Sequence, residues 1–183
     1  MSVLANYSRV WINQLPHRQM ARLLVSDTSV LIDLERGNLL QTTFKLPTPL
    51  AVPDVLYERE LRAANGELLV TLGLQVLELD GAGVAMAQGY MARTASLSVP
   101  DAFALALAKT GGHILVCADR ALKELAQSEA IECHGLFWIL DQIVDAGLLP
   151  ANRAHEALQT IASHPRSRLP KGTVAVYLAK YSR

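Results

Sequence analysis

Cysteine and histidine are both sparse in this sequence, and neither forms a pattern that carries a familiar chemistry. The chain has 183 residues and two cysteines, Cys117 and Cys133, sixteen positions apart with no Cys-x-x-Cys spacing. That pattern predicts neither a disulfide framework nor a zinc site, and it favours a reducing cytoplasm as the compartment. The five histidines are scattered without a His-Glu-x-x-His motif, so zinc-hydrolase chemistry has no support.

Long apolar runs and two catalytic loops are also missing. No run approaches the ~20 apolar residues that cross a bilayer, and residues 1–20 lack the apolar centre of a signal peptide. Met20 directly precedes the segment where regular structure begins, so residues 1–20 are interpreted as an N-terminal extension. The sequence has neither a Gly-x-Ser-x-Gly elbow nor a Gly-Lys-Ser/Thr loop, which excludes an α/β-hydrolase esterase and a P-loop NTPase.

The composition is that of one globular domain with unevenly distributed charge. Hydrophobic residues make up 51% of the chain and charged residues 19%, which suits a single compact core. Residues 1–150 contain 11 Lys/Arg against 16 Asp/Glu, whereas residues 151–183 contain 6 against 1. The basic C-terminal region predicts an anionic partner; the alternative is a tail whose charges are only solvated.

Short apolar runs alternate with helical stretches along the chain. This alternation predicts a parallel sheet covered by helices on both faces, with the carboxyl ends of the strands at one edge. We place an α/β domain at residues 21–148 and a C-terminal helix with a basic tail at 149–183. The predicted strands are 23–26, 50–52, 74–79, 113–117 and 131–134. The predicted helices are 28–36, 53–64, 84–94, 100–109, 119–127, 136–146 and 150–162, with a further helical turn or two at 67–72.

Three aspartates stand at the starts of predicted helices. Asp27 follows the first strand, Asp119 follows the fourth, and Asp101 opens a helix that is apolar on all sides. Each has a structural interpretation as a helix cap, since a carboxylate there accepts hydrogen bonds from unpaired backbone donors. Asp101 also follows Ser98 at capping-box spacing. Taken singly, each of these aspartates is better explained by capping than by catalysis.

Glu60 is harder to explain by capping. At 100° per residue it falls near the middle of an apolar helix face, where an unpaired acid is costly, whereas Glu58 points away. Because the helix phase is uncertain from sequence, Glu58 is kept as the alternative to Glu60. The apolar face comprises Leu56, Tyr57, Leu61, Ala63 and Ala64.

Carboxylates gathered at one edge of a sheet repel one another, and hard divalent cations relieve that repulsion. Mg²⁺ or Mn²⁺ in such a site lowers the pKa of water and neutralises phosphate charge. The pattern of Asp27, Glu60, Asp101 and Asp119 therefore predicts hydrolysis of phosphodiester bonds.

Four segments resemble the motifs of PIN-domain nucleases. They are Leu-Leu-Val-Ser-Asp-Thr-Ser-Val-Leu-Ile-Asp-Leu at 23–34, Val-Pro-Asp-Val-Leu-Tyr-Glu-Arg-Glu-Leu at 52–61, Leu-Ser-Val-Pro-Asp-Ala-Phe-Ala-Leu-Ala-Leu-Ala at 97–108 and Ile-Leu-Val-Cys-Ala-Asp-Arg-Ala-Leu at 114–122. Each motif alone is weak, but four in order and spacing are fairly specific. The resemblance covers about residues 21–148.

The resemblance implies a PIN-like three-layer α/β/α fold with five parallel strands in the order 3-2-1-4-5. It implies that Asp27, Glu60, Asp101 and Asp119 form an acidic Mg²⁺ or Mn²⁺ site. Many similar proteins are VapC-type toxins that cleave RNA, are silenced by an antitoxin protein and form homodimers. Cys117 departs from the Thr or Ser often found two residues before the last acid. The alternatives are a PIN nuclease of RNA processing or DNA repair without an antitoxin, and a non-catalytic interaction module.

The basic tail completes the set of expectations. Residues 163–183 are predicted to fold back near the edge that carries the acids. Arg166, Arg168 and Lys171 are predicted to contact RNA there, because the rest of the chain is acidic and phosphates need a basic surface. The rival interpretation is that residues 174–178, a short apolar run, pack a subunit interface.

Overall fold

Within residues 21–182, the part of the chain that the computed structural model describes, five short strands form one sheet. They are β1 (Leu24–Ser26), β2 (Leu50–Pro53), β3 (Gln75–Leu77), β4 (Ile114–Val116) and β5 (Cys133–His134). Neighbouring strands are all parallel, in the order β3-β2-β1-β4-β5, so the predicted sheet and strand order are confirmed. Residues 1–20, the predicted extension, lie outside the described residues.

Helices connect the strands and cover both faces of the sheet, and the helix after β2 continues as a π-helical turn at Tyr57–Leu61. The α-helices are α1 (Thr28–Arg36), α2 (Leu40–Thr43), α3 (Asp54–Leu56), α4 (Gly66–Leu72), α5 (Gly81–Arg93), α6 (Val99–Gly111), α7 (Arg120–Ser128), α8 (Leu136–Asp145), α9 (Ala151–Ser163) and α10 (Lys171–Tyr181).

The two faces of the sheet bury two separate sets of apolar side chains, as β4 illustrates. Ile114 and Val116 belong to the cluster that includes α1, α8 and α9, whereas Leu115 belongs to the cluster formed with α5, α6 and α7. Because helices cover both faces, all three residues of β4 are buried. The three-layer α/β/α architecture is therefore confirmed.

The C-terminal region contributes a second helix that the sequence pattern did not indicate. α10 packs on α9, and its Tyr181 is only 2% exposed within the cluster of α1 and α8. Asp141 of α8 accepts hydrogen bonds from Tyr181 Oη at 2.7 Å and Tyr177 Oη at 3.2 Å, and pairs with Lys180 Nζ at 2.5 Å. α10 is bound to α8 through the hydroxyl groups of Tyr177 and Tyr181, so the sequence of α10 shows no clear apolar stripe.

Several helices end or begin at residues that the local sequence specifies. Asp27 caps α1, and Gly37 follows its last residue. Ser98 caps α6, and Gly112 ends it with φ +63°, a left-handed conformation that favours glycine. None of the helices in residues 21–182 is both long and apolar enough to cross a membrane.

Candidate active site

The carboxyl ends of β1 and β4 lie side by side and carry two of the four predicted acids. Ser26 of β1 pairs with Val116 of β4, and the Asp27 N–H donates to the Val116 carbonyl at 2.9 Å. Asp119 lies three residues beyond Val116 and immediately precedes α7. Parallel strands with right-handed crossovers place such loops on the same edge of a sheet, where α/β folds usually bind ligands.

Asp27 is a buried carboxylate held from two directions. Its Oδ1 accepts the Val30 N–H at 2.8 Å, which caps α1, and its Oδ2 accepts the Ala118 N–H at 2.8 Å from the loop after β4. The side chain is 3% exposed. Burial raises the pKa of Asp27 to about 6, against the lowering effect of the two backbone donors. Asp27 is thus a cap, as the structural interpretation expected, and also a bridge between the loops after β1 and β4.

Asp101 is half-buried in the first turn of α6. Its N–H donates to Ser98 Oγ at 3.1 Å, and the Ser98 hydroxyl donates to Asp101 Oδ2 at 2.6 Å. Burial raises the pKa of Asp101; the Ser98 hydrogen bond opposes that rise, and the charges of Glu60 and Asp119 add to it. The same carboxylate therefore takes part in a helix cap and in a cluster of acids.

Glu60, and not Glu58, faces the other acids. Its carboxylate accepts a hydrogen bond from the hydroxyl of Thr28, the residue after Asp27. Glu58 instead pairs with Arg62 at 2.6 Å on the exposed side. Although the two glutamates are only two residues apart, they belong to different surfaces.

The local geometry at Glu60 differs from the predicted one. The predicted continuous helix over 53–64 is wrong, because α3 gives way to the π-helical turn at Tyr57–Leu61. A π turn has more residues per turn than an α-helix and so rotates the following side chains. Glu60 is consequently exposed, as are Ala63 and Ala64, which the 100° spacing placed on a buried face.

Asp119 is the most accessible aspartate of the set. It is exposed and caps α7 by accepting the Leu122 N–H at 2.8 Å through Oδ1. Its charge contributes to the raised pKa of Asp101, after burial and the charge of Glu60. The exposed side chain lies within electrostatic reach of a half-buried one at the same edge.

The four acids are linked through Asp101. Glu60 and Asp119 both raise its pKa, and Asp101 in turn raises the pKa of Asp27, although burial is the largest contribution for both aspartates. Mutual repulsion of this kind is what a divalent cation relieves. The charges of Glu60 and Asp119 thus act on Asp101, and the charge of Asp101 acts on Asp27.

These acids do not form a closed set of metal ligands. In the described residues no three His, Cys, Asp or Glu side chains surround a common point that a metal ion could occupy. Mg²⁺ retains several of its waters in proteins and binds through one or two carboxylates together with substrate phosphates. An edge of carboxylate oxygens with an open approach through Asp119 and Glu60 fits a hydrated, hard cation of this type.

Comparison with protein families gives an independent result. Residues 23–183, most of the chain, match the family model of a PIN domain. The chain belongs to the PIN-domain family. PIN domains are generally nucleases and typically use divalent metal ions, so the chain is grouped with hydrolases that bind nucleic acid. A search of curated proteins found no significant match.

The PIN domain has a lysine at its acidic edge that the motif analysis did not single out. Lys123 is half-buried one turn after Asp119 on α7, and its charge opposes the burial that raises the pKa of Asp27. A methyl group at Gly135 would lie 3.2 Å from Lys123 Nζ and 3.3 Å from the Cys117 carbonyl oxygen, so glycine leaves space for the ammonium. Its only sequence signal is the spacing of four residues from Asp119.

The basic residues of the tail lie away from this edge, so the prediction that residues 163–183 fold back near it is wrong. Ile161, near the end of α9, lies against Gly37, which is at the opposite end of α1 from Asp27. Burial raises the pKa of Asp33, halfway along α1, and the nearby His164 opposes that rise. The loop that follows contains exposed Arg166 and Arg168, and Lys171 begins α10. At 1.5 Å per residue α1 is roughly 13 Å long, so RNA would have to extend past the acids to reach these side chains.

Proposed function

We propose that this PIN domain is a metal-dependent endoribonuclease that hydrolyses RNA phosphodiester bonds. The observation that supports the proposal is the position of Asp27 between the loops after β1 and β4, at the sheet edge where Asp101 feels the charges of Glu60 and Asp119. Asp27, Glu60, Asp101 and Asp119 are the residues that would hold Mg²⁺ or Mn²⁺. A bound ion would supply a lowered pKa for water and would neutralise charge on the phosphate.

The surrounding side chains have defined parts in this proposal. Asp27 is fixed by two backbone donors, so its carboxylate keeps one orientation. The Ser98 hydroxyl orients Asp101, and the Thr28 hydroxyl orients Glu60. Lys123 is assigned to a phosphate oxygen of the substrate, since an ammonium at an acidic edge offsets the repulsion between the carboxylates and RNA. In this proposal these residues bind and orient the substrate and the ion.

Asp101→Asn and Glu58→Gln form a matched pair for the test. Each removes one negative charge, but only Asp101 belongs to the acidic cluster. With single-stranded RNA and Mg²⁺, Asp101→Asn is expected to lose at least a hundredfold in cleavage rate, and Glu58→Gln to cleave like the wild type. EDTA should stop the wild type. A wild-type rate in Asp101→Asn, or an equal loss in both variants, contradicts the proposed site.

We also propose the biological setting that the VapC resemblance implies. The protein acts in the cytoplasm as a homodimeric toxin, and a cognate antitoxin protein silences it. Expression of the active chain should arrest growth. Co-expression of the protein encoded by an adjacent gene should relieve the arrest, and that protein should co-purify with the chain. Sedimentation equilibrium measures the dimer. If the chain cleaves RNA but is harmless and binds no such product, it is a PIN nuclease of RNA processing.

Two substrate alternatives are distinguished by the same assay. A DNA-repair nuclease would cleave single-stranded DNA of equal sequence at least as fast as RNA. A non-catalytic interaction module would cleave neither substrate at any Mg²⁺ or Mn²⁺ concentration while it still binds nucleic acid. Preferential cleavage of RNA supports the endoribonuclease.

A further inference from the structure

Two cysteines that are distant in sequence contact each other at the acidic edge. Cys117 directly follows β4, and Cys133 begins the neighbouring parallel strand β5. Both are free thiols, both pack with the cluster of α5, α6 and α7, and their Sγ atoms are 3.3 Å apart. A disulfide requires ~2.05 Å, so the sulfurs of this Cys117–Cys133 dithiol need to approach by little more than about 1 Å.

The dithiol is joined to the acids through a short backbone segment. Ala118, the residue after Cys117, donates its N–H to Asp27 Oδ2 at 2.8 Å. The Cys117 thiol lies 3.9 Å from the carbonyl oxygen of Asp119. A displacement of Cys117 toward β5 therefore moves the donor that holds Asp27 and the backbone that carries Asp119.

The two thiols differ in a way that suits a stepwise oxidation. Cys117 is fully buried, at 0% exposure, whereas Cys133 is half-buried. Contact with Cys117 and the positive charge of Lys123 lower the pKa of Cys133, whereas burial and the charge of Asp27 raise it. Cys133 is thus the more accessible thiol, and Cys117 is the buried thiol in contact with it.

We propose that the Cys117–Cys133 dithiol is a reversible oxidation site that inactivates the PIN domain when its disulfide forms. The oxidant is a hydroperoxide such as hydrogen peroxide. The Cys133 thiolate attacks one peroxide oxygen, the O–O bond breaks, and a sulfenic acid and water result after one proton is taken up. Cys117 sulfur then attacks the sulfenic sulfur, the S–O bond breaks, and its thiol proton leaves with the hydroxide as a second water. The two sulfurs lose two electrons, and the peroxide gains them.

Inactivation follows from the position of the bond. A disulfide pulls Cys117 toward β5 and weakens the hydrogen bond from Ala118 to Asp27, so the acid that is buried deepest loses one of its two backbone donors. Thiol reductants reverse the bond, as is usual for redox-sensing cysteines in a reducing compartment. The loss of activity rests on the proposed nuclease function; the formation of the disulfide does not.

The test uses the full chain treated with hydrogen peroxide, with and without subsequent dithiothreitol. Intact-mass measurement should show the loss of two hydrogens, and non-reducing peptide mapping should show a Cys117–Cys133 crosslink. Cleavage of RNA in Mg²⁺ should fall at least tenfold and recover with dithiothreitol. Single-site products, such as a sulfinic acid on Cys133 with Cys117 still reduced, overturn the oxidation site.

Cys133→Ala is the matched control, and Cys133→Ser replaces it if alanine impairs folding. Either variant should keep the wild-type rate when reduced and should resist peroxide, because no second thiol contacts Cys117. A crosslinked wild type that cleaves RNA at the reduced rate overturns the inactivation. If the reduced wild type does not cleave nucleic acid at all, the proposed function fails, and the mass and peptide maps alone decide the oxidation site.

Discussion

At the residue scale, Asp27 is both a charged member of the acidic edge and the acceptor of two backbone hydrogen bonds, so a substitution changes both properties. Its two oxygens accept two separate backbone donors, so asparagine, with one oxygen, leaves Val30 or Ala118 without its partner. Asparagine at Asp27 therefore tests hydrogen bonding together with charge. Asp101 receives its side-chain hydrogen bond from a rotatable serine hydroxyl and provides the cleaner test of charge.

The burial of Asp27 predicts a pH dependence of stability in the metal-free protein. Its folded pKa of about 6 is above the ordinary value of 3.8, so the folded state favours the protonated acid. This contribution is complete below pH 3.8 and is lost as the pH rises through 6. Relative to Asp27→Asn, which does not titrate, the free energy of unfolding should fall by roughly 2.4 kcal/mol from pH 4 to 7. Urea unfolding in EDTA measures the difference.

The hydrogen bond that Asp27→Asn loses costs the same free energy at every pH, so it does not affect the change in the stability difference between pH 4 and 7. Asp80→Asn supplies a comparison, because Asp80 caps α5 through Gly83 but is exposed. A difference between wild type and Asp27→Asn that stays flat from pH 4 to 7 contradicts the raised pKa.

Lys123 predicts a specific loss of substrate affinity. Removal of its ammonium by Lys123→Ala should weaken RNA binding about tenfold, equivalent to ~1.4 kcal/mol. The slope of log affinity against log salt should decrease by ~0.7, the value for one phosphate contact on a single strand. Lys109→Ala, which removes a lysine bonded to the Glu129 carbonyl on another surface, is the control. An unchanged salt slope would remove Lys123 from the phosphate site.

At the scale of elements, α10 is an integral part of the fold. Val174 is 9% exposed and Tyr181 2%, so a truncation of residues 163–183 removes part of the core together with the basic loop. Truncation is therefore a poor test of RNA binding. The rival interpretation assigns residues 174–178 to a subunit interface. Of their large apolar side chains only Val176 is exposed, at 65%, whereas Val174 is buried within the chain.

The anchor of α10 gives a prediction about stability. Asp141→Ala leaves the buried Tyr181 hydroxyl without its acceptor and removes the partner of Lys180. A buried polar group without a partner costs about 1–3 kcal/mol, so the free energy of unfolding should fall by that amount. Urea unfolding measures it, with Asp145→Ala at the exposed end of α8 as the control. Equal stabilities of the two variants would show that the anchor contributes little.

Arg166 and Arg168 allow the RNA role of the tail to be tested without truncation. The double substitution to alanine should reduce the salt slope by ~0.7 per lost contact, but only with RNA long enough to pass from the acids along α1. Arg153→Ala, whose arginine pairs with Glu156 at 2.6 Å, is the control. If neither long nor short RNA shows a changed slope, the loop is not a binding surface.

At the scale of the whole molecule, repulsion between the acids at the sheet edge lowers the stability of the metal-free domain. Binding of Mg²⁺ should therefore stabilise the fold in addition to supporting cleavage. At a Mg²⁺ concentration of 100 times Kd, the free energy of unfolding should rise by ~2.7 kcal/mol. Thermal melts at increasing Mg²⁺ measure this, with the gain absent in Asp101→Asn and retained in Glu58→Gln. A gain in both variants would place the ion elsewhere.

The sequence alone determined the layered parallel sheet, the PIN family and the start of α1 at Asp27. These depend on local signals, since apolar periodicity, a capping carboxylate and a terminal glycine act over a few residues. The strand ends were then sufficient to bring Asp27 and Asp119 to one edge. Helix caps and acidic-site residues coincide here, so sequence could not separate the two interpretations.

Only the tertiary structure placed Glu60, which the sequence favoured, and Glu58 on different surfaces, added α10, and joined Cys117 to Cys133. Each depends on contacts between distant parts of the chain: Thr28 with Glu60 across 32 positions, Asp141 with Tyr181 across 40, and Cys117 with Cys133 across 16. A π-helical turn changes the direction of the side chains after Tyr57, and the apolar periodicity of the segment does not predict this turn. The same holds for the thiol contact, because strand pairing, and not sequence spacing, sets the distance between residues on neighbouring strands.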